Sequence, residues 1–124
     1  MNSWLFLAAI NGFIAVAAGA FATHGLQARL DAHALEVFET GARYQMYHAL
    51  AIAVAAFAVR GAAMPAQIAA AFFLGGIVLF SGSLYILALT GWRPAAFVTP
   101  VGGLAFLTGW ACLAWAALKF KTGS

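Results

Sequence analysis

Apolar residues run almost unbroken through four stretches of the chain, and polar residues collect in the gaps between them. The stretches cover about 4–23, 41–59, 67–90 and 97–118. A helix needs about 20 residues to cross roughly 30 Å of hydrocarbon. The first, third and fourth stretches meet that length directly. The second meets it if its polar opening, Arg43-Tyr44-Gln45, lies in the interface. This pattern predicts an all-α fold: one transmembrane domain over residues 1–124, built as an integral membrane four-helix bundle. The gap over about 26–39 has its own pattern. Leu26, Leu30, Ala34, Val37 and Phe38 fall at helical spacing, with Gln27, Asp31, Glu36 and Glu39 elsewhere. Such a segment predicts a short amphipathic helix lying on the membrane surface between helices one and two. Arg60 to Pro65 and Gly91-Trp92-Arg93-Pro94 read as tight turns, and Thr99-Pro100 reads as a helix N-cap followed by proline at the first helical position.

Composition sharpens the reading. Of 124 residues, 65% are hydrophobic and 7% charged, with a mean hydropathy of +0.97. Water-soluble domains carry about 25% charged residues, so a soluble monomer is excluded, and so is a disordered chain. The first stretch could also be a signal peptide, since Ala20-Phe21-Ala22 resembles a cleavage site. No Lys or Arg precedes it, however, and it outruns the usual h-region of about 7–15 residues. It is therefore read as a membrane helix. The expected location is a bacterial inner (plasma) membrane, with several crossings. Alternating helices place Arg60, Lys119 and Lys121 on one side and Arg29, Arg43 and Arg93 on the other. The basic residues tie, and the paired lysines favour both termini in the cytoplasm. The net charge of +3 comes from scattered residues that form no basic stripe, so nucleic acid is not an expected partner. Cys112 is the one cysteine, which leaves neither an intrachain disulfide nor a CxxC site.

Helix association in lipid relies on close packing of small residues. Gly12 and Gly19, Gly75 and Gly82, and Gly102 and Gly109 each stand seven residues apart, and Ala49 and Ala56 repeat the interval in helix two. Those six glycines are the expected packing surfaces. The run Gly75 to Gly82 also resembles Gly102 to Gly109: two glycines, four apolar residues, a hydroxyl residue and a glycine. Ser81 and Thr108 are expected to bond the backbone of their own preceding turn.

Ionisable groups within a membrane are costly and mark functional candidates. His24 closes helix one, Arg43 and Tyr44 open helix two, and His48 lies one turn deeper, roughly 6 Å by helical rise. Ser83 and Thr99 come from helices three and four on the same membrane side. His24, Arg43, Tyr44, His48, Ser83 and Thr99 thus form a candidate polar pocket. The structural alternative has His24 serving the last carbonyls of its helix, Tyr44 joining an aromatic belt, and His48 bonding a backbone carbonyl across the bundle as a core histidine. Haem or a metal could be held by His24 and His48, but no His-x-x-x-His or CxxCH pattern accompanies them, and no cofactor is expected. The carboxylates Asp31, Glu36 and Glu39 all lie on the surface segment. No nucleophile has a base beside it, and catalytic residues are not expected.

Several strings together resemble a known family. They are Gly19-Ala20-Phe21 with His24-Gly25-Leu26, Thr40-Gly41 leading to Tyr44-Gln45 and His48-Ala49-Leu50, Leu79 to Tyr85, and Thr99 to Gly103 with Gly109-Trp110. The chain resembles the bacterial "domain of unknown function 423" group, which is similar to eukaryotic transmembrane protein 256. Ala22 stands where that family usually has glycine. The resemblance implies a small four-helix inner-membrane protein, marks His24 and His48 as motif positions, and implies no activity. The leading expectation is a non-enzymatic protein that acts by association, as a homo-oligomer or within a larger membrane complex, with membrane lipids as its surroundings. A small transporter or ligand- or proton-binding protein using the polar pocket is the second, and haem or metal binding the third.

Overall fold

A computed structural model describes residues 1–120, so Lys121, counted above for orientation, lies outside the described residues. Four helices follow one another: α1 (Ser3–His24), α2 (Ala32–Ala58), α3 (Ala63–Thr90) and α4 (Ala95–Lys119). Three of them, α1, α3 and α4, are long and apolar enough to cross a membrane. Side chains start two of the helices. Asn2 Oδ1 accepts from the Leu5 N–H at 3.0 Å, and Asp31 Oδ1 accepts from the Ala34 N–H at 2.8 Å. Gly91, with φ of 70°, ends α3 in the left-handed conformation and returns its N–H to the Leu87 carbonyl.

The segment before helix two differs from expectation. The separate surface helix over 26–39 is absent. A short turn at Leu26–Ala28 is followed by α2 itself, which runs for 27 residues without a break. Thr40-Gly41 does not interrupt it, and Thr40 Oγ1 donates to the Glu36 carbonyl at 2.9 Å within the helix. Leu26, only 3% exposed, anchors the turn among Ala22, Phe38 and Ala88. His48 consequently lies sixteen residues past Ala32, roughly 24 Å along the axis instead of one turn inside the interface.

Groove-lining residues show how the helices run. Asn2, Trp4, Val59, Arg60 and Gln67 meet at one end, and Thr23 meets Glu39 and Arg43 towards the other. α2 therefore traverses the same height as α1 in the opposite direction. It lies between α1 and α3, and α4 packs chiefly on α3 and reaches α2 through Phe106 and Trp110, whereas α1 packs almost wholly on α2. This placement explains why α2 tolerates Gln45 and His48, each 4% exposed: protein surrounds them, not hydrocarbon.

α3 and α4 join by fitting phenylalanines onto glycines. A Cβ on Gly76 would fall 2.3 Å from the Phe106 ring, one on Gly109 would fall 2.6 Å from the Phe73 ring, and one on Gly102 would fall 2.4 Å from the Phe80 backbone nitrogen. Within α3 the residues Ile77–Ser81 form a π-helical turn. Of the six glycines expected to pack, Gly102 and Gly109 are in close contact. A Cβ on Gly12, Gly19, Gly75 or Gly82 would meet nothing within 4 Å. The expected register assumes regular α-helix, and the π turn between Gly75 and Gly82 breaks that regularity. α4 also begins before the expected cap. The Trp92, Arg93 and Pro94 carbonyls accept from Ala95, Ala96 and Phe97, which leaves Thr99 and Pro100 inside the helix.

Candidate functional site

His48 is the best-defined polar group of the interior. Its Nδ1 lies 2.8 Å from the Tyr44 carbonyl, one turn back, so that nitrogen carries the proton and donates. Its Nε2 is then the acceptor, and the Trp110 Nε1–H donates to it at 3.1 Å. Assigning the tautomer from the network in this way gives a neutral imidazole with both nitrogens engaged. The ring stacks on Phe106 with centroids 3.5 Å apart and planes at 6°, and Phe73 closes a further side at 5.7 Å. Tyr44 continues the aromatic cluster, 4.9 Å from Phe80 and 5.5 Å from Tyr47. Next to these rings lies a groove of about 380 Å³ lined by Tyr44, Tyr47, His48, Phe80, Phe106 and Trp110, with Gly103 and Leu107. Tyr47, 50% exposed, and Leu107, 66% exposed, stand on its outer side.

The remaining members of the expected pocket lie elsewhere. Arg43 is exposed and points along α1, lining a separate groove with Gly19, Thr23, Glu39 and Met46. His24 is exposed at the end of α1. Ser83 Oγ donates to the Phe80 carbonyl at 2.9 Å and shares a hydroxyl hydrogen bond with Thr99, tying α3 to α4. Tyr44 and His48 are therefore brought together, Ser83 and Thr99 form a second pair, and Arg43 and His24 join neither. The similar depth expected of His24 and His48 depended on helix two starting near Tyr44. With α2 starting at Ala32 and Nε2 of His48 bonded to Trp110, the two histidines do not form a facing pair of ligands. Among the described residues no group of three His, Cys, Asp or Glu side chains could hold a metal ion.

Sequence reasoning overlooked a second network. Tyr85 donates from its hydroxyl to Gln45 Oε1 at 2.7 Å. Gln45 Nε2 donates to Asn11 Oδ1 at 3.0 Å, and Asn11 Nδ2 donates to the Leu7 carbonyl at 2.9 Å. One directed chain of donors thus links α3, α2 and α1. The signal for it was present, since an amide amid apolar residues needs a partner in lipid. Ser81, fully buried, likewise crosses between helices. Its Oγ donates to the Gly41 carbonyl at 2.7 Å instead of bonding its own preceding turn, as Thr108 does to Leu104. Gly41 has no side chain to cover that carbonyl, and Tyr85 packs against the same spot. Among the described residues every buried side-chain nitrogen and oxygen has a partner.

Comparison with known proteins places the chain. The family model described as "Protein of unknown function (DUF423)" matches residues 18–103. The chain belongs to this family. It is 46% identical over 122 residues to a UPF0382 membrane protein of Haemophilus influenzae, covering 98% of each chain. It is 42% identical to the UPF0382 membrane protein YwdK of Bacillus subtilis, covering 97% of this chain and 99% of that one. It is 47% identical to the UPF0382 inner membrane protein YgdD of Escherichia coli, covering 94% and 90%. No solved structure matches it. The DUF423 chain described here is thus a multi-pass helical membrane protein from a family named for its lack of a known function, and one relative's name specifies the inner membrane.

Proposed function

We propose that this protein works without catalysis, by associating within the membrane with a second copy of itself or with a larger complex. One observation carries the reading: the polar interior is spent on internal bonds, while the outer face of α1 meets no other part of the chain. Asn11, Gln45, His48, Ser81 and Ser83 all have partners inside the bundle. Outside, Phe6, Phe13 and Val16 are 57%, 75% and 62% exposed on a helix whose single substantial neighbour is α2. Gly12 sits among them with open space above it, the kind of surface on which helices approach closely. Native mass spectrometry from gently solubilised membranes tests this directly. The expected result is a multimer or a retained partner, weakened by Gly12→Leu with helix content unchanged. A strictly monomeric protein that crosslinks to nothing in cells would overturn it.

The groove beside His48 favours one second reading, ligand binding at the lipid-facing surface. Its aromatic lining suits an apolar segment such as an acyl chain better than a polar solute, and neither His24 nor Arg43 lines it. His48→Ala would then abolish ligand-dependent stabilisation while leaving the bundle folded. Equal stabilisation of variant and parent would remove this reading.

A further inference from the structure

We propose that the end of the bundle carrying Arg29 and Arg93 holds the phosphodiester headgroup of an anionic membrane lipid. A groove of about 570 Å³ opens there, bounded by Arg29, Asp31 and His33 on one wall and Gly91 and Arg93 on the other, with Val37 and Leu87 along its floor. The two arginines come from separate turns, the one before α2 and the one after α3, and the fold brings them to one cleft. Gly91 makes this close approach feasible, because its left-handed conformation ends α3 abruptly and lets Arg93 line the same cleft as the start of α2. Asp31, the carboxylate in the cleft, already spends Oδ1 on the Ala34 N–H. That contact occupies one N–H of the first turn of α2 and leaves Asp31 charged, so two guanidinium groups against one carboxylate leave the cleft net cationic towards an anion.

The shape of the cleft argues for a lipid over a free anion. Its cationic rim stands at the ends of membrane-spanning helices, and its floor descends along apolar side chains. Val37 lies five residues past Ala32, roughly 7.5 Å down the axis of α2, opposite Leu87 in the last turn of α3. A phosphate clamped between two guanidinium forks would have its glycerol and first acyl carbons on Val37 and Leu87. A headgroup with its own cation would bring that charge against the arginine pair, so the site selects a net anionic lipid.

The test is lipid competition on the full chain in a neutral detergent, read by native mass spectrometry and thermal unfolding. Phosphatidylglycerol is expected to be retained over phosphatidylcholine. The Arg29→Gln/Arg93→Gln variant is expected to lose that preference, with affinity falling roughly fivefold for each arginine removed. Arg29→Lys/Arg93→Lys should keep part of the preference, and Arg60→Gln, at the opposite end, should keep all of it. Circular dichroism on each variant verifies the fold, and the competition on the parent stands independently of any variant. Equal retention of the two lipids by the parent would overturn the proposal, as would unchanged preference in the double glutamine variant. An equal loss in Arg60→Gln would reduce the effect to general surface charge and also overturn it. Protection by inorganic phosphate or glycerol 3-phosphate equal to that by the lipid would assign the cleft to a soluble anion instead.

Discussion

Each buried polar side chain among the described residues has specific partners, so removing one bonding group should be felt. Trp110→Phe keeps an aromatic ring beside His48 but leaves Nε2 without a donor. A loss of about 1 kcal/mol is expected, the scale seen for interhelical hydrogen bonds in membranes, measurable by denaturant titration in micelles. Gln45→Leu is the heavier change, because it strands the Tyr85 hydroxyl and the Asn11 carbonyl oxygen together. About 1–2 kcal/mol is expected from the same titration, and Asn11→Leu should cost less because Gln45 keeps its bond from Tyr85. These partnerships were only half legible in the sequence. That Asn11, Gln45 and His48 needed partners followed from their apolar surroundings. Which partners they found depended on how far each helix is rotated and displaced, and a spacing pattern within one helix carries no information about its neighbour.

At the scale of the helix, the break in α3 decides which glycines matter. The four apolar runs are visible in the sequence because transmembrane length and composition are strong signals, but a π turn leaves no comparable mark. Gly75 and Gly82 therefore read as packing positions when the contacts belong to Gly76, Gly102 and Gly109. Gly102→Ala drives a methyl group into the Phe80 backbone, which cannot swing aside as a side chain can. A loss of about 2–3 kcal/mol is expected. Gly75→Ala meets open space and should stay within about 0.5 kcal/mol of the parent or gain slightly from helix propensity. The pair of titrations separates contact glycines from bystanders, and equal effects would contradict the α3–α4 packing. The start of α2 was misplaced for a related reason. Acidic residues between apolar runs suggest a surface segment, yet here Asp31 caps the helix, and Glu36 and Glu39 occupy its first turns as it enters the bundle.

Across the whole molecule, the three helices α2, α3 and α4 share an aromatic core, and α1 is attached from one side. α1 meets α2 through Ala8, Asn11, Ala15 and Ala22, mostly small residues that let the two backbones approach closely. α1 is accordingly joined to the bundle through one interface, formed by these small residues and the Asn11–Gln45 bond. Hydrogen exchange in nanodiscs should show α1 amides less protected than those of α3, with the gap widening in Gln45→Leu. Uniform protection would contradict the arrangement.

The Asn11–Gln45 bond also bears on how the chain is made. Thirty-four residues separate its ends, so α1 leaves the ribosome long before its partner amide exists. During that interval Asn11 can satisfy its nitrogen on the Leu7 carbonyl, but its side-chain oxygen has nothing to accept from in hydrocarbon. The arrangement favours holding α1 at a protein-lined or hydrated site until α2 arrives, so that the two helices enter the bilayer as a hairpin with the bond already closed.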